Sequence, residues 1–439
     1  MCAKKAFIYV AIALAGLLTT AGWSQQQQIS GRERGQILDM LRDIADDVRK
    51  HYYDPKFHGV DWDAAVKEAR QKIDKAETMN LALAEIAAAL DTLHDSHTFF
   101  VPPQRPYRHD YGWQPQMIGD RCYVVRVRPN SDADAKDVRP GDEVLAINGY
   151  TPIRDNLWKI QYMFNILRPQ PGLHLNLRDP RGGESQVDVA AKITELVHVR
   201  DLTGNGIWPL LREIENEEHL MRIRYAEVSD DLMVLKFSSF FFSESELDNI
   251  IGKARKHKAL ILDLRGNPGG SVDTLAYLIG HIFENNVKIA DRVGRDTRKP
   301  QVVKVIGHNH FSGKLVVLVD SQSASAAEIF ARLVQIEKRG VVLGDQTSGS
   351  VMEAKEYSYQ IGMGTVVFFG ASITDADLIM TDGKSLEHTG VTPDEIVLPT
   401  AADLANERDP VLAHAAETLG VQLTPEQAGK MFPYEWPQQ

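Results

Sequence analysis

Residues 315–336 read LVVLVDSQSASAAEIFARLVQI. The apolar run Leu315–Val319 has the length and β-branched content of a buried strand. A small polar turn follows, and then a stretch with helical periodicity that opens on Ser325-Ala-Ala-Glu328. That tetrad has the form of a capping box, in which the serine caps the helix and the glutamate reaches back to the cap. The same strand, turn and helix order recurs nearby: Leu232–Phe237 reads as a strand and Glu244–Lys256 as a helix. Ala259–Leu264 reads as a buried strand, Val272–Phe283 as a helix and Val341–Leu343 as a further strand. Alternation of this kind predicts a sheet covered by helices. Tyr357–Phe369 then reads as a hairpin turning through Gly362-Met-Gly364.

Upstream of this core the pattern changes twice. From Gly31 to about Leu93 it is helical: Ile37, Leu38, Leu41, Ile44 and Val48 make one apolar stripe, and WDAAVKEARQKI and NLALAEIAAALDTL continue it. Pro102, Pro103 and Pro106 mark a boundary. From about Gly112 to Ile193 short strands alternate with turn signals, among them Pro140-Gly141 and the hairpin-type pair Asn148-Gly149. A polar link, Thr203 to about Arg224, leads into the core.

A formal charge of −11, with no basic cluster after the N-terminus, argues against nucleic acid as a partner. Lys4-Lys5 followed by the apolar run Ala6–Ala21 has the form of a secretory leader cleaved near Gly22–Ser24. Export is the expectation, to the periplasm or beyond, with a membrane contact only if that leader is retained. Cys2 lies in the leader, so Cys122 stands alone in the mature chain and no intramolecular disulfide forms. Without a cysteine pair a thiolate zinc site is excluded. The tightest histidine pair, His308-x-His310, has no nearby carboxylates, so neither metal nor cofactor is expected.

The chemistry concentrates in two turns. Asp263-Leu-Arg-Gly-Asn-Pro-Gly-Gly270 sits where a strand ends and a helix begins. Its glycines can aim backbone N–H groups into open space, as an oxyanion hole requires. No Gly-Lys-Ser/Thr follows, so it is not a phosphate loop. Ser321, Ser323 and Ser325 crowd the second turn, and a helix cap needs none of them to be reactive.

Together these features resemble the tail-specific (C-terminal processing) protease family and its tricorn-like relatives. RPGDEVLAING, ending at Gly149, resembles the second half of a PDZ domain. DLRGNPGG resembles the family's oxyanion turn, which implies that Gly270 and the N–H of Ala326 form the hole. SASAAE resembles its nucleophile motif, which implies Ser325. In the processing proteases a lysine activates the serine from a T-x-G-K motif twenty-five residues further on. Here the matching stretch is Thr347-Ser-Gly-Ser350, so that dyad is absent. Ser96-His97 resembles the pair used by the tricorn branch, with His97 as base, and Glu387 before Gly390-Val-Thr-Pro-Asp394 matches its late glutamate. The resemblance implies an α/β, multidomain chain: leader 1–24, N-terminal helical domain 29–106, PDZ domain 112–195, crotonase/ClpP-like protease core 225–400 and C-terminal helical tail 401–439. It implies a serine endopeptidase acting on peptides or unfolded and tail segments of proteins, with tails docking at the PDZ domain and oligomers allowed. Three alternatives stay open: a displaced lysine base (Lys355 or Lys384), His388 in place of His97, and a non-catalytic binding protein of the same fold. His97 could also serve only to cap a helix C-terminus.

Overall fold

The computed structural model describes residues 28–196, 220–305, 310–362 and 366–437. The leader, most of the polar link, His308 and the Met363-Gly364 turn lie outside the described residues. Helix α1 (Gly31–His51) starts at Ser30, whose hydroxyl accepts the Glu33 N–H while Glu33 accepts the Ser30 N–H. Its buried stripe is Ile37, Met40, Leu41, Ile44, Ala45 and Val48, and α2 (Trp62–Lys75) and α3 (Met79–Asp91) pack beside it. After β1 (Phe99–Val101) the chain enters a β domain.

That domain runs through β2 (Tyr107–Asp110), β3 (Trp113–Ile118), β4 (Arg121–Val127), α4 (Asp132–Ala135), β5 (Glu143–Ile147), α5 (Leu157–Tyr162), β6 (Gly172–Arg178), β7 (Glu184–Ala190) and β8 (Lys192–Glu195). Strands β3 to β7 pair in chain order as one antiparallel sheet over its own apolar core, and β2 pairs with β8. Cys122 is part of this core, where burial pushes its thiol up to about 12. Asn148-Gly149 does turn the chain, closed by reciprocal Ile147–Tyr150 backbone bonds. Yet no hairpin follows, because Pro152 comes next and the partner strand of β5 is β6, beyond α5.

The remaining elements are β9 (Arg224–Glu227), β10 (Leu232–Lys236), α6 (Glu244–Ala254), β11 (Ala259–Asp263), α7 (Val272–Ile282), β12 (Val287–Val293), β13 (Gln301–Val303), β14 (Lys314–Val319), α8 (Ala326–Ile336), β15 (Val341–Gly344), β16 (Met352–Ile361), β17 (Val367–Met380), β18 (Glu395–Ile396), α9 (Ala401–Ala405), α10 (Pro410–Thr418) and α11 (Pro425–Gly429). A six-stranded sheet has the order β18-β15-β14-β11-β10-β9, parallel except for β9. Helices α6, α7 and α8 cover one face and α10 and α11 the other. Burial on both faces explains why these strands read as continuous apolar runs. It also corrects the expected division at 401. Residues 401–429 are helical but form the second cover of the core sheet, and from Lys430 to Pro437 the chain is in neither helix nor strand.

The hairpin expected at 357–369 is longer, pairing all of β16 with the fourteen-residue β17. Strand β17 serves two cores. Phe369, Ala371 and Ile373 pack against the N-terminal helices, whereas Leu378 and Met380 join the core beneath the six-stranded sheet. The helical domain is therefore docked on the second sheet (β1-β17-β12-β13, with β16) and does not stand apart. Among the described residues no helix is long and apolar enough to cross a membrane.

At the end of β11, Arg265 grips Asp263 with Nε and Nη2 (2.9 and 2.8 Å) and Asp409 with Nη1 and Nη2 (2.9 and 2.7 Å). Asp409 also caps α10 through the Leu412 N–H. Burial opposes ionisation of Asp263, but Arg265 and Lys236 hold its carboxyl well below the usual carboxylate range. Removing one partner of a buried charge group leaves the others uncompensated, at a cost of about 3–5 kcal/mol. Arg265→Met should lower the unfolding free energy by that amount in urea titrations. A midpoint equal to that of the wild type would show that the clasp contributes nothing.

Candidate active site

Two turns leave the same ends of neighbouring parallel strands, one from β11 to α7 and the other from β14 to α8. Asp320 Oδ1 accepts the N–H groups of Gly266, Gln322 and Ser323 at 2.9–3.1 Å, and the Ser323 hydroxyl donates to Leu264 O. The Ala324 N–H donates to Asn267 O, and the Asn267 side chain accepts the Gly269 N–H while donating to Phe237 O. The turns are thereby laced together. Gly269 approaches so closely that a Cβ there would lie 2.7 Å from Ser325 Cβ, and its φ of +95° also suits glycine alone. Among the described residues neither the Gly270 nor the Ala326 N–H finds a protein acceptor.

Ser325 itself has φ 53° and ψ −117°, far from the extended conformation of an ordinary cap. Such backbone outliers persist only where the surroundings over-determine them. Here the surroundings are explicit. Glu328 in α8, 0% exposed, accepts four hydrogen bonds: Ser325 N–H (3.0 Å), Ser350 N–H (3.0 Å), Gly349 N–H (2.7 Å) and the Thr347 hydroxyl (2.6 Å). Even against these bonds, burial raises its pKa to about 7. The capping tetrad signals only the Ser325 bond. The grip on 347–350 is a tertiary contact that local sequence does not announce. Ser350, at the position of the missing lysine, accepts the Ser325 N–H on its carbonyl (2.9 Å), and its hydroxyl bonds Ser348 (2.9 Å).

The second group comes from the loop after α3. His97 lies six residues past the helix end at Asp91, so it does not cap that helix. Asp95 Oδ1 accepts the N–H groups of His97 (2.9 Å) and Thr98 (2.7 Å) and the Thr374 hydroxyl (2.7 Å), fastening the loop to β17. Ser96 Oγ lies 2.7 Å from His97 Nδ1 and donates to Glu387 Oε2 at 2.9 Å, while the Ser96 N–H donates to Glu387 Oε1 at 2.8 Å. A hydroxyl has one proton to give. With it on the carboxylate, Ser96 Oγ accepts from Nδ1–H, and that tautomer leaves the His97 Nε2 lone pair free. Burial lowers the His97 pKa, with Asp95 opposing, and burial raises that of Glu387.

Glu387 Oε2 also accepts the Val351 N–H (2.8 Å). One trans peptide, Ser350–Val351, thus turns its carbonyl to Ser325 and its N–H to Glu387, joining the two groups. No hydrogen bond connects His97 directly to Ser325. The rival bases are engaged elsewhere or exposed. Lys355 pairs with Asp375 (2.7 Å), Lys384 is exposed in a turn where only its backbone N–H bonds Asp382, and His388 Nε2 bonds His94 O (2.8 Å). Among the described residues no cluster of three or more His, Cys, Asp or Glu is disposed to hold a metal.

Residues 231–397 match peptidase family S41 and residues 36–80 match the tricorn protease C1 domain. A tail-specific protease of Haemophilus influenzae is 23% identical over 327 residues, covering 68% of this chain but only 43% of that protein. The carboxy-terminal processing protease CtpA of Bacillus subtilis is 24% identical over 364 residues, covering 81% of this chain and 68% of the relative. Among solved structures, mature CPAF superposes with a TM-score of 0.65 at 18% identity, over 85% of this chain and 94% of that one, a likeness of fold.

Because the folded-state pKa of Glu328 exceeds the usual carboxylate value, the native state binds its proton more tightly than the unfolded chain does. Stability from this group is full below about 4.5 and is lost as pH rises toward 7, by up to about 3 kcal/mol. Urea unfolding across this range should show that slope in the wild type and a flatter profile in Glu328→Gln. Parallel profiles would refute the buried, proton-binding carboxylate.

Proposed function

We propose, from the match of residues 231–397 to peptidase family S41, that the chain is an exported serine endopeptidase with a histidine base. What supports the reading above all is the Ser96–His97–Glu387 relay, tied through the Ser350–Val351 peptide to the backbone of Ser325. A serine hydroxyl is a weak nucleophile unless a neighbouring base takes its proton. In this mechanism Ser325 Oγ attacks the scissile carbonyl carbon as His97 Nε2 takes the hydroxyl proton. Glu387, through the Ser96 hydroxyl, holds the imidazole in its Nδ1–H tautomer and stabilises the imidazolium that forms. The N–H groups of Gly270 and Ala326 receive the oxyanion. His97 then protonates the leaving amine. Water, activated by the same imidazole, hydrolyses the acyl-serine and restores the hydroxyl. Catalytic hydrogen bonds commonly tighten only with substrate in place, so the His97–Ser325 bond is assigned to the substrate complex.

The substrates in this reading are peptides and unfolded or tail segments of proteins, by analogy with the names of the relatives. Residues 112–195 act as a PDZ domain that docks such segments, and the independent antiparallel β core is in keeping with that role. The apolar run Ala6–Ala21 supports export.

Ser325→Ala and His97→Ala should each lower kcat by about 10⁴-fold or more with an unchanged melting temperature, and a fluorophosphonate should label Ser325 in the wild type. Absence of labelling would favour a non-catalytic binder, and normal turnover by the histidine variant would remove the relay. The base works as neutral imidazole, so kcat/KM should fall as pH drops through a midpoint below 6.5, the side to which burial shifts His97. An alkaline midpoint would point to a lysine.

A further inference from the structure

A cleft of about 1210 Å³ lies between the β domain and the core, floored by Lys236, Asp263 and Arg265 and lined neither by Ser325 nor by His97. The irregular stretch Phe432–Pro437 forms part of the wall of this cleft, lying against its arginines. Every second residue of that stretch presents an aromatic ring to an arginine. Arg224 lies 5.7 Å from the Phe432 ring centroid, Arg126 4.2 Å from that of Tyr434 and Arg128 4.6 Å from that of Trp436. Between the last two rings, Glu435 pairs with Arg222 (2.8 Å) and Arg224 (3.8 Å). Gln114 donates to the Tyr434 hydroxyl, Arg224 to Pro433 O (2.8 Å) and Arg128 to Pro437 O (3.1 Å).

The receiving surface is built for this. Cys122 and Val124 of β4 face the β-domain core, and regular alternation would send Arg126 the same way. A bulge intervenes: Gln114 pairs with Arg126 but Pro115 with Val124, so two residues of β4 oppose one of β3. Bulges re-aim side chains, and this one turns Arg126, with Arg128 two residues on, out of the core and over the cleft. Planar guanidinium groups stacked on rings, a carboxylate between two arginines and donors aimed at main-chain carbonyls are the chemistry of peptide recognition.

We propose that this cleft is a binding site for an extended peptide with aromatic residues at alternate positions and an acidic residue between them, and that Phe432–Pro437 is its resident, displaceable ligand. Its receptor residues come from both the β domain (Gln114, Arg126, Arg128) and the edge of the core sheet (Arg222, Arg224). The docked segment therefore fastens the two bodies together, and an incoming peptide of the same pattern competes for the same arginine contacts. The proposal does not rest on hydrolysis at Ser325.

The test uses the full chain in a Ser325→Ala background and a fluorescein-labelled peptide of residues 430–437, KMFPYEWP, read by fluorescence polarisation. The chain with Tyr434→Ala and Trp436→Ala, its resident ligand loosened, should bind the peptide at least tenfold more tightly than the chain with the native segment. Adding Arg126→Ala and Arg128→Ala to the loosened chain should weaken binding at least tenfold. Arg126→Lys with Arg128→Lys, which keeps the charge but loses the planar stacking, should also weaken it with the melting temperature unchanged. Equal binding by the loosened and native chains, or binding indifferent to both arginine replacements, would overturn the proposal.

Discussion

The carboxylate of Glu328 is the constraint on which the candidate site depends. It is fully buried, and it gathers donors from two places: the Ser325 N–H at the start of its own helix, and Thr347, Gly349 and Ser350 from the loop after β15. A buried carboxylate without donors would be prohibitively costly, so these four bonds are required once Glu328 faces inward. The consequence is geometric. Ser325 is held in a backbone conformation it would not adopt alone, and the Ser350 carbonyl is held against its N–H.

The second constraint is the double service of β17. Packing the N-terminal helices on one stretch of this strand and the main core on another brings the loop after α3 against the core. Asp95 then ties that loop to Thr374, and Ser96 meets a glutamate 291 positions away in sequence. The Ser350–Val351 peptide connects the Ser325 N–H to the hydrogen-bonded group of Ser96, His97 and Glu387.

Much of this is legible in the sequence because it is periodic or local. Continuous apolar runs alternating with helical stretches announced a sheet covered by helices, and the stripe Ile37–Val48 announced a packed helix. Ser325-Ala-Ala-Glu328 announced a helix start. What escaped was non-local. Residues 401–429 read as an appended tail because amphipathic helices do not name the face they cover, and only the sheet shows that Val411 and Leu412 cover it. Asn148-Gly149 read as a hairpin because the turn chemistry is right, yet pairing is decided by which strand lies alongside. The bulge that turns Arg126 outward leaves no local signature either.

The sequence by itself determined the elements and the inventory: which segments are strands and helices, where glycines permit close approach, and that no lysine follows Thr347-Ser-Gly. Those follow from side-chain chemistry within a few residues of each other. Only the tertiary structure decided that Ser96, His97 and Glu387 form one hydrogen-bonded group, that the Ser350–Val351 peptide joins it to Ser325, and that Phe432–Pro437 lies across the arginines of another domain. The physical reason is that a hydrogen bond or a stacked guanidinium depends on ångström-scale placement of groups hundreds of residues apart. That placement is set by how whole layers pack.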